Sequence, residues 1–411
     1  MRERPHRHTQ VPSPTQVRGA RGAGERAAPD SRVRKVAFVA NGSVGLYQFR
    51  RGVMASLRAA GFEVLCVAPE DSFTSLLVAD GYDFELLDVE RYGRNPIYEF
   101  ETLRELTRIY RKHAPDLVFH YTIKPNIYGT LAAHRLGIPS VAVVTGLGTF
   151  PDIRNPLMRF SINRLYRRAA RRAREVWFLN EHDQGYFEGR GWVSDTPTRV
   201  LPSEGVDTEH YAYTPPPENR PLRALFAGRL LRRKGIGEFC EAAHLLAVRE
   251  VDCRCQVVGF IESANPDALD FDAFQRWIAS GTVEYFGETA DVRPFITAAD
   301  VVVLPSTYRE GVSRILLEAM AMGRPIIATG GVGIGQLVDE DRNGFRVVGG
   351  SAQSLADALT AFSRLPAGKR EEMGLRGRHI AARYYDEQFV IDDYHAFVRR
   401  LQADYADTAA K

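Results

Sequence analysis

Short apolar strands alternate with amphipathic helices along this chain, stop at a proline-rich break, and then begin again. "KVAFVA" from Lys35 reads as a buried strand, followed by the helical "NGSVGLYQFRRGVMASLRAAG" and the strand "FEVLCVAP". "DLVFH", "PSVAVVTG", "EVWFLN" and "TRVLP" complete this half. Apolar strands with helices between them predict a parallel, doubly wound sheet. "EGVDTEHYAYTPPPENRP" lacks periodicity and reads as a linker. "RALFAG", "CQVVGF", "VEYFG", "DVVVLP" and "PIIAT" then repeat the strand pattern, and "DEQFVIDDYHAFVRRLQADY" closes the chain as an amphipathic helix. At 411 residues the chain exceeds one ordinary core. The expected division is a tail over 1–32, a first domain over 33–206, a second over 207–385, and a helix over 386–411 that crosses back to the first domain. Two doubly wound sheets leave a cleft at the carboxyl ends of their strands, where ligands bind.

With 45% hydrophobic and 26% charged residues the composition is that of a globular protein. No run of about eighteen apolar residues occurs, and the arginine-, proline- and glycine-rich N-terminus lacks the apolar core of a signal peptide. That segment reads as disordered, an inert extension rather than an interaction tail, its alternative. Cys66, Cys240, Cys253 and Cys255 have no partners at zinc spacing and read as buried thiols in a reducing cytosol. The net charge of +3 is unevenly spread: residues 154–174 hold eight arginines and no acid. A local basic patch argues against general nucleic-acid affinity.

Two stretches carry chemistry. In "LFAGRLLRRKGIGEF" the strand ends at Gly228 and a helix begins near Gly235, with Arg229 and Lys234 at the turn. A cationic pair there suits a diphosphate; a solvated basic loop, with Arg232 and Arg233, is the alternative. "YREGVSRILLEAMAMGRP" places Glu310 in the loop at a strand's carboxyl end and Glu318 inside the following helix. The N–H groups of Gly311, Val312 and Ser313 at the helix start can serve hydroxyl or phosphate oxygens. A helix-cap acid and an ion-pairing glutamate are the plainer readings of the two carboxylates. Gly42 and Gly45 in "NGSVGLYQFR" would let backbone approach a phosphate, and Lys124 in "HYTIKPN" is a candidate for an acceptor diphosphate or a plain surface lysine.

"EGVSRILLEAMAMGRPIIATGG" resembles the E-x7-E segment of glycosyltransferase family 4, and "FAGRLLRRKGIGEF" resembles that family's Arg/Lys diphosphate turn. "HYTIKPNIYGTLAAHRLGIPSVAVVTGLGTF" and "NGSVGLYQFRRGV" resemble a narrower group, bacterial enzymes of the bacillosamine N-acetylgalactosaminyltransferase type. These add an N-acetylhexosamine to undecaprenyl-diphosphate-linked sugars. The resemblance covers about 35–400. It implies the GT-B fold, two Rossmann-like domains with an interdomain cleft, and a retaining, metal-independent transfer from a nucleotide sugar, expected to be a UDP-sugar. It further implies that Arg229 and Lys234 hold the diphosphate, Glu310 the donor sugar and Glu318 the ribose. His120, ending "DLVFH", would face the cleft near the donor sugar, with a satisfied core histidine as the alternative. Gly42 would line the donor side; Gly45, Lys124 and Asn126 the acceptor side. Thr149 stands where the group has an aromatic, and Val332 and Gln336 replace the family's usual residues in "TGGVGIGQLV". "DFD" at Asp270–Asp272 mimics a metal-binding D-x-D but has no strand-end context and reads as chance.

"RNPLMRFSINRLYRRAARRAREVW" begins with an N-cap and first-turn pair, Asn155 and Pro156. Met158, Ile162, Leu165, Ala169 and Ala173 recur at helical spacing, with arginines on the other faces. Such a helix either packs on the core with a solvated basic face or rests on an anionic membrane surface. A lipid-linked acceptor favours the membrane, hence a cytoplasmic protein peripheral on the inner face of the cell membrane. Rival functions are a non-hydrolysing sugar-nucleotide 2-epimerase and a non-catalytic sugar-nucleotide or lipid binder.

Overall fold

A computed structural model describes residues 33–88, 96–148, 150–217, 221–262 and 265–409. The expected tail over 1–32 and Thr149 lie outside these described residues. The first sheet contains β1 (Lys35–Val39), β2 (Glu63–Ala68), β3 (Asp83–Leu86), β4 (Leu117–Tyr121), β5 (Ser140–Val144), β6 (Glu175–Phe178) and β7 (Thr198–Val200). The second contains β8 (Leu222–Ala227), β9 (Cys253–Val258), β10 (Glu284–Tyr285), β11 (Val301–Leu304), β12 (Ile326–Thr329) and β13 (Gly344–Val347). Spatial orders are β3-β2-β1-β4-β5-β6-β7 and β10-β9-β8-β11-β12-β13. Neighbouring strands run parallel in both sheets, for example Val39 beside His120 and Phe226 beside Val257.

The inner strands are buried on both faces, which is why they read as unbroken apolar runs. The edge strands β3, "DFEL", and β13, "GFRV", mix charge with apolar residues over four positions and gave no sequence signal. In each sheet the order reverses beside the first strand, at β1/β4 and at β8/β11. The loops leaving those strands therefore diverge and open a crevice.

The last helix, Glu387–Ala409, packs on the first sheet, although the chain reaches it from the second. The Tyr394 ring lies 4.6 Å from Phe119 and 4.9 Å from Trp177, and its hydroxyl shares a 2.8 Å hydrogen bond with Tyr121. His395 and Ser56 pair at 2.7 Å, and Arg400 meets Glu175 at 2.6 Å. Where the chain crosses between domains, Val206 bridges Asp386. Beside this crossing the buried Arg50 guanidinium sits 4.4 Å over the Tyr121 ring and pairs with Glu204 at 2.7 Å. The linker is fastened by Arg324, fully buried without a carboxylate partner among the described residues. It donates instead to the carbonyls of Thr214 (2.8 Å), Thr297 (2.9 Å) and Ile296 (3.0 Å).

Candidate active site

The loops after β8 and β11 leave the second sheet side by side at its switch point. A single 3-10 turn, Arg232–Lys234, leads into the helix Ile236–Val248 through Gly235, at φ +82°. A Cβ on Gly235 would collide with the carbonyl of Pro305, so glycine is needed for the turn to lie against the β11 loop. The Arg233 carbonyl then accepts the backbone N–H groups of Thr307 (2.7 Å) and Tyr308 (3.0 Å). Two loops far apart in sequence are thereby locked together, and Lys234 Nζ stands 3.0 Å from Glu310 Oε1. The two side chains are only 14% and 13% exposed. The contact is a close ion pair rather than an aligned hydrogen bond, so the buried Oε1 keeps room for a second donor. A buried carboxylate oxygen held by an ion pair alone can take a ligand hydroxyl.

Arg229 enters the same region. Its Nη1 lies 3.5 Å from Glu262 Oε2, and its guanidinium is 6.0 Å from the Tyr308 ring centroid. Asn265 Nδ2 donates to the same Glu262 oxygen at 3.0 Å. Burial pushes the Tyr308 hydroxyl above its usual range. Neither Glu262 nor Tyr308 was singled out from sequence; the position of Tyr308 two residues before Glu310, in a strand-end loop, was the available signal.

Ser313 caps the helix Arg314–Ala321 without a side-chain bond, and its N–H donates to the Gly333 carbonyl at 3.2 Å. The amides of Gly311 and Val312 have no acceptor among the described residues. The first domain reaches this loop directly. Asn180 Nδ2 donates to the Gly311 carbonyl at 2.9 Å, and Gly148 N–H to the Arg309 carbonyl at 3.3 Å. Gly146 is at φ +121°, and a Cβ there would stand 2.8 Å from the Gly311 nitrogen. The loop after β5 thus meets Arg309–Gly311 backbone on backbone, and the cleft closes onto Glu310.

Glu318 is buried within the helix and pairs with Arg314 Nε at 3.0 Å. Burial raises its pKa, while Arg314 and a hydrogen bond from Tyr211 oppose the rise. Arg314 Nη1 also donates to the linker carbonyl of Gly205 at 2.7 Å. The two glutamates therefore have separate surroundings: Glu310 faces Lys234 and the first domain, whereas Glu318 faces Arg314 and the linker.

Several first-domain expectations are corrected. His120 does not face the cleft. It is fully buried, its Nε2 shares a 2.7 Å hydrogen bond with the Tyr110 hydroxyl, and its Nδ1 lies 3.2 Å from Thr130 Oγ1. The π-turn Pro125–Gly129 closes over the ring, with Gly129 against its edge. Burial pulls the pKa down to about 3, so the imidazole stays neutral. Asn126 is 1% exposed, and its amide donates to the Val143 carbonyl (2.9 Å) and the Tyr166 hydroxyl (3.1 Å), a core role rather than an acceptor contact. Gly42 has an extended φ of 175°, and two residues on, in the first turn of the helix, Val44 N–H already donates to Asp71 Oδ2 at 3.0 Å. A carboxylate at that helix start repels a phosphate, and a Cβ on Gly45 would meet nothing. Lys124 is half-buried in a small crevice with Asn41 and Pro69, at the carboxyl ends of β1 and β4. Asp270 is an N-cap, accepting from Asp272 N–H (3.0 Å) and Ala273 N–H (3.2 Å).

The basic helix Pro156–Ala170 is capped by Asn155 Oδ1, which accepts from Leu157 N–H (3.0 Å) and Met158 N–H (3.1 Å). Tyr166, Ala169 and Ala170 are its buried residues. Leu157 and Phe160 are not in the core: they are 78% and 66% exposed. No helix among the described residues is long and apolar enough to cross a membrane.

Known proteins share this architecture. A family model described as "Glycosyl transferase 4-like" matches residues 35–180, and one described as "Glycosyl transferases group 1" matches 221–364. The chain is 25% identical to the N,N'-diacetylbacillosaminyl-diphospho-undecaprenol alpha-1,3-N-acetylgalactosaminyltransferase of Campylobacter jejuni, over 88% of this chain and 97% of that protein. The structure of sucrose-phosphate synthase from Thermosynechococcus elongatus matches with a TM-score of 0.72 at 20% identity, covering 90% of this chain and 100% of that one. Anabaena HepE in complex with UDP and glucose matches with a TM-score of 0.70 at 19% identity, covering 92% of this chain and 100% of that one. With one family model on each sheet, together spanning more than half its length, this chain belongs to the group 1 and 4-like glycosyl transferases of the GT-B fold.

Proposed function

We propose that the protein is a retaining glycosyltransferase of family 4 type. It moves an N-acetylhexosamine from a UDP-sugar to an undecaprenyl-diphosphate-linked saccharide, in surface polysaccharide or glycan biosynthesis at the inner face of the cell membrane. One observation carries the reading: Lys234 and Glu310 are brought together as a largely buried ion pair at the switch point of the second sheet, beside the first-domain loops that reach Arg309 and Gly311, with Glu310 Oε1 taking no aligned hydrogen bond among the described residues. The Campylobacter relative's name supports the sugar and the lipid-linked acceptor, and the HepE complex supports UDP. Exposed Leu157 and Phe160 beside the arginines support the membrane.

In this reading Lys234 and Arg229 take the diphosphate and stabilise charge as it leaves, so no metal is required. Glu310 accepts from donor-sugar hydroxyls, the Gly311 and Val312 amides serve its oxygens, and Glu318 serves the ribose once it exchanges Arg314 for ligand hydroxyls. The bond between the anomeric carbon and the diphosphate oxygen breaks, and a bond to the acceptor hydroxyl oxygen forms on the same face. The hydroxyl proton passes to the leaving phosphate. Lys124 stands on the acceptor side.

The test is a screen of UDP-sugars against an undecaprenyl-diphosphate-linked acceptor, reading UDP release and product mass. Glu310→Gln and Lys234→Ala should each lower transfer about a hundredfold to a thousandfold in protein that remains folded, with the melting temperature measured for each because either change breaks a largely buried ion pair. Full activity in either variant removes the site assignment. An epimer formed from UDP-N-acetylglucosamine without acceptor would instead identify a 2-epimerase.

A further inference from the structure

Between the helices Pro96–His113, Thr130–Arg135 and Pro156–Ala170, on the flank of the first domain, lies a cavity of about 230 Å³. Leu103, Leu131 and Leu165 form its apolar lining. Arg135, Arg168 and Arg172 surround it with His134. The three arginines have no carboxylate partner among the described residues. Burial, then Arg172 and Arg168, lower the pKa of His134, so the cavity's own histidine registers their positive field. Guanidinium groups gathered without carboxylates, over leucine, suit a phosphate ester joined to hydrocarbon.

The surface around the cavity points to the source of that phosphate. Leu157, Phe160, Arg164, Arg167, Arg168 and Arg171 are all exposed and recur at helical spacing along one face of the third helix. Two bulky apolar groups followed by a run of arginines is the pattern of a helix lying on an anionic bilayer. Arg168 belongs to both the face and the cavity.

We infer that this cavity binds the phosphate headgroup of an anionic membrane phospholipid, held by Arg135, Arg168 and Arg172 over Leu103, Leu131 and Leu165, while the adjoining helix face rests on the bilayer. The inference rests on the membrane-associated reading above and adds a defined lipid site to it. A headgroup seated between three helices fixes the flank's orientation, which a diffuse charge attraction does not.

Co-sedimentation of the full chain with vesicles tests this, using phosphatidylcholine alone, phosphatidylcholine with phosphatidylglycerol, and phosphatidylcholine with undecaprenyl diphosphate at matched charge. Wild type should bind the phosphatidylglycerol vesicles most tightly. Arg135→Ala with Arg172→Ala removes two charges from the cavity; Arg164→Ala with Arg167→Ala removes two from the helix face alone. Because each surface arginine near anionic lipid contributes alike to a diffuse attraction, the site itself is the difference between the pairs, and the cavity pair should weaken binding about tenfold more than the face pair. Leu131→Trp, which fills the cavity without changing charge, should weaken binding as the cavity pair does. Equal losses from both pairs overturn the site in favour of a diffuse field. Tighter, cavity-dependent binding to undecaprenyl diphosphate overturns the phospholipid assignment in favour of the acceptor. Absence of binding to every vesicle overturns the site as well. These vesicles hold no nucleotide sugar, so transfer to a detergent-dispersed acceptor tests the enzymatic reading independently.

Discussion

Lowering the pH should loosen the first domain, with His120 setting a defined share of the loss. Its pKa falls from 6.5 to about 3 because the ring is fully buried. Between those values the unfolded imidazole carries a proton that the folded one does not. The contribution is therefore fully present above pH 6.5 and declines as the pH falls toward 3. Each pH unit in that window costs about 1.4 kcal/mol, so pH 5 costs about 2 kcal/mol relative to pH 7.5. His134, His210 and His395 are also lowered by burial, whereas Asp183, Glu318, Glu387 and Asp393 are raised by burial and act with the opposite sign, so the wild-type total is not the His120 share alone. His120→Gln isolates that share, because an amide can still pair with the Tyr110 hydroxyl but does not titrate. The assay is urea unfolding at both pH values, followed by tryptophan fluorescence in a Trp277→Phe background, which leaves Trp177 and Trp192 of the first domain as reporters. The His120 protein should lose about 2 kcal/mol more than the His120→Gln protein between the two pH values. A difference below about 0.5 kcal/mol, or of opposite sign, would refute the burial argument.

Two further outcomes follow from the packing. Arg50→Ala should destabilise the protein by about 3–5 kcal/mol in the same unfolding assay, because Glu204 is left buried and unpaired; Arg50→Ala with Glu204→Gln should recover part of that loss, and no recovery would mean the ring contact with Tyr121 dominates. Gly146→Ala should cost about 1–3 kcal/mol of strain where its Cβ meets Gly311; small-angle scattering should show a more open pair of domains and transfer should fall, whereas unchanged scattering and activity would mean the contact is dispensable.

The two-sheet layout and the second-domain loops were legible because they depend on local pattern. Apolar runs in β1, β4 and β8 mark buried parallel strands, and a glycine after Lys234 marks the turn into a helix. The sequence places Glu310 at a strand end, but its contact with Lys234 depends on the Arg233 carbonyl and has no local signature. His120 was misplaced for a related reason: its position near a strand's carboxyl end was correct, but whether its ring reaches the cleft depends on the π-turn that folds over it. Asn126 looked available for the same reason and is instead spent on β5 and Tyr166. Asp71 lies 29 residues after Gly42, so the loss of that helix start to a carboxylate left no trace in "NGSVGLYQFR". Leu157 and Phe160 read as ordinary helix residues until their exposure was seen.

The contact of Gly146 with the Arg309–Gly311 backbone has a mechanical meaning. A Cβ on Gly311 would stand 2.6 Å from the Thr145 carbonyl oxygen, so neither side of the contact has room for a side chain. The domains come to rest there on peptide groups, whose dimensions do not vary with sequence. Such a stop sets the minimum gap above Glu310 as a fixed gauge, leaving the more distant walls of the cleft free to change with the sugar they must admit.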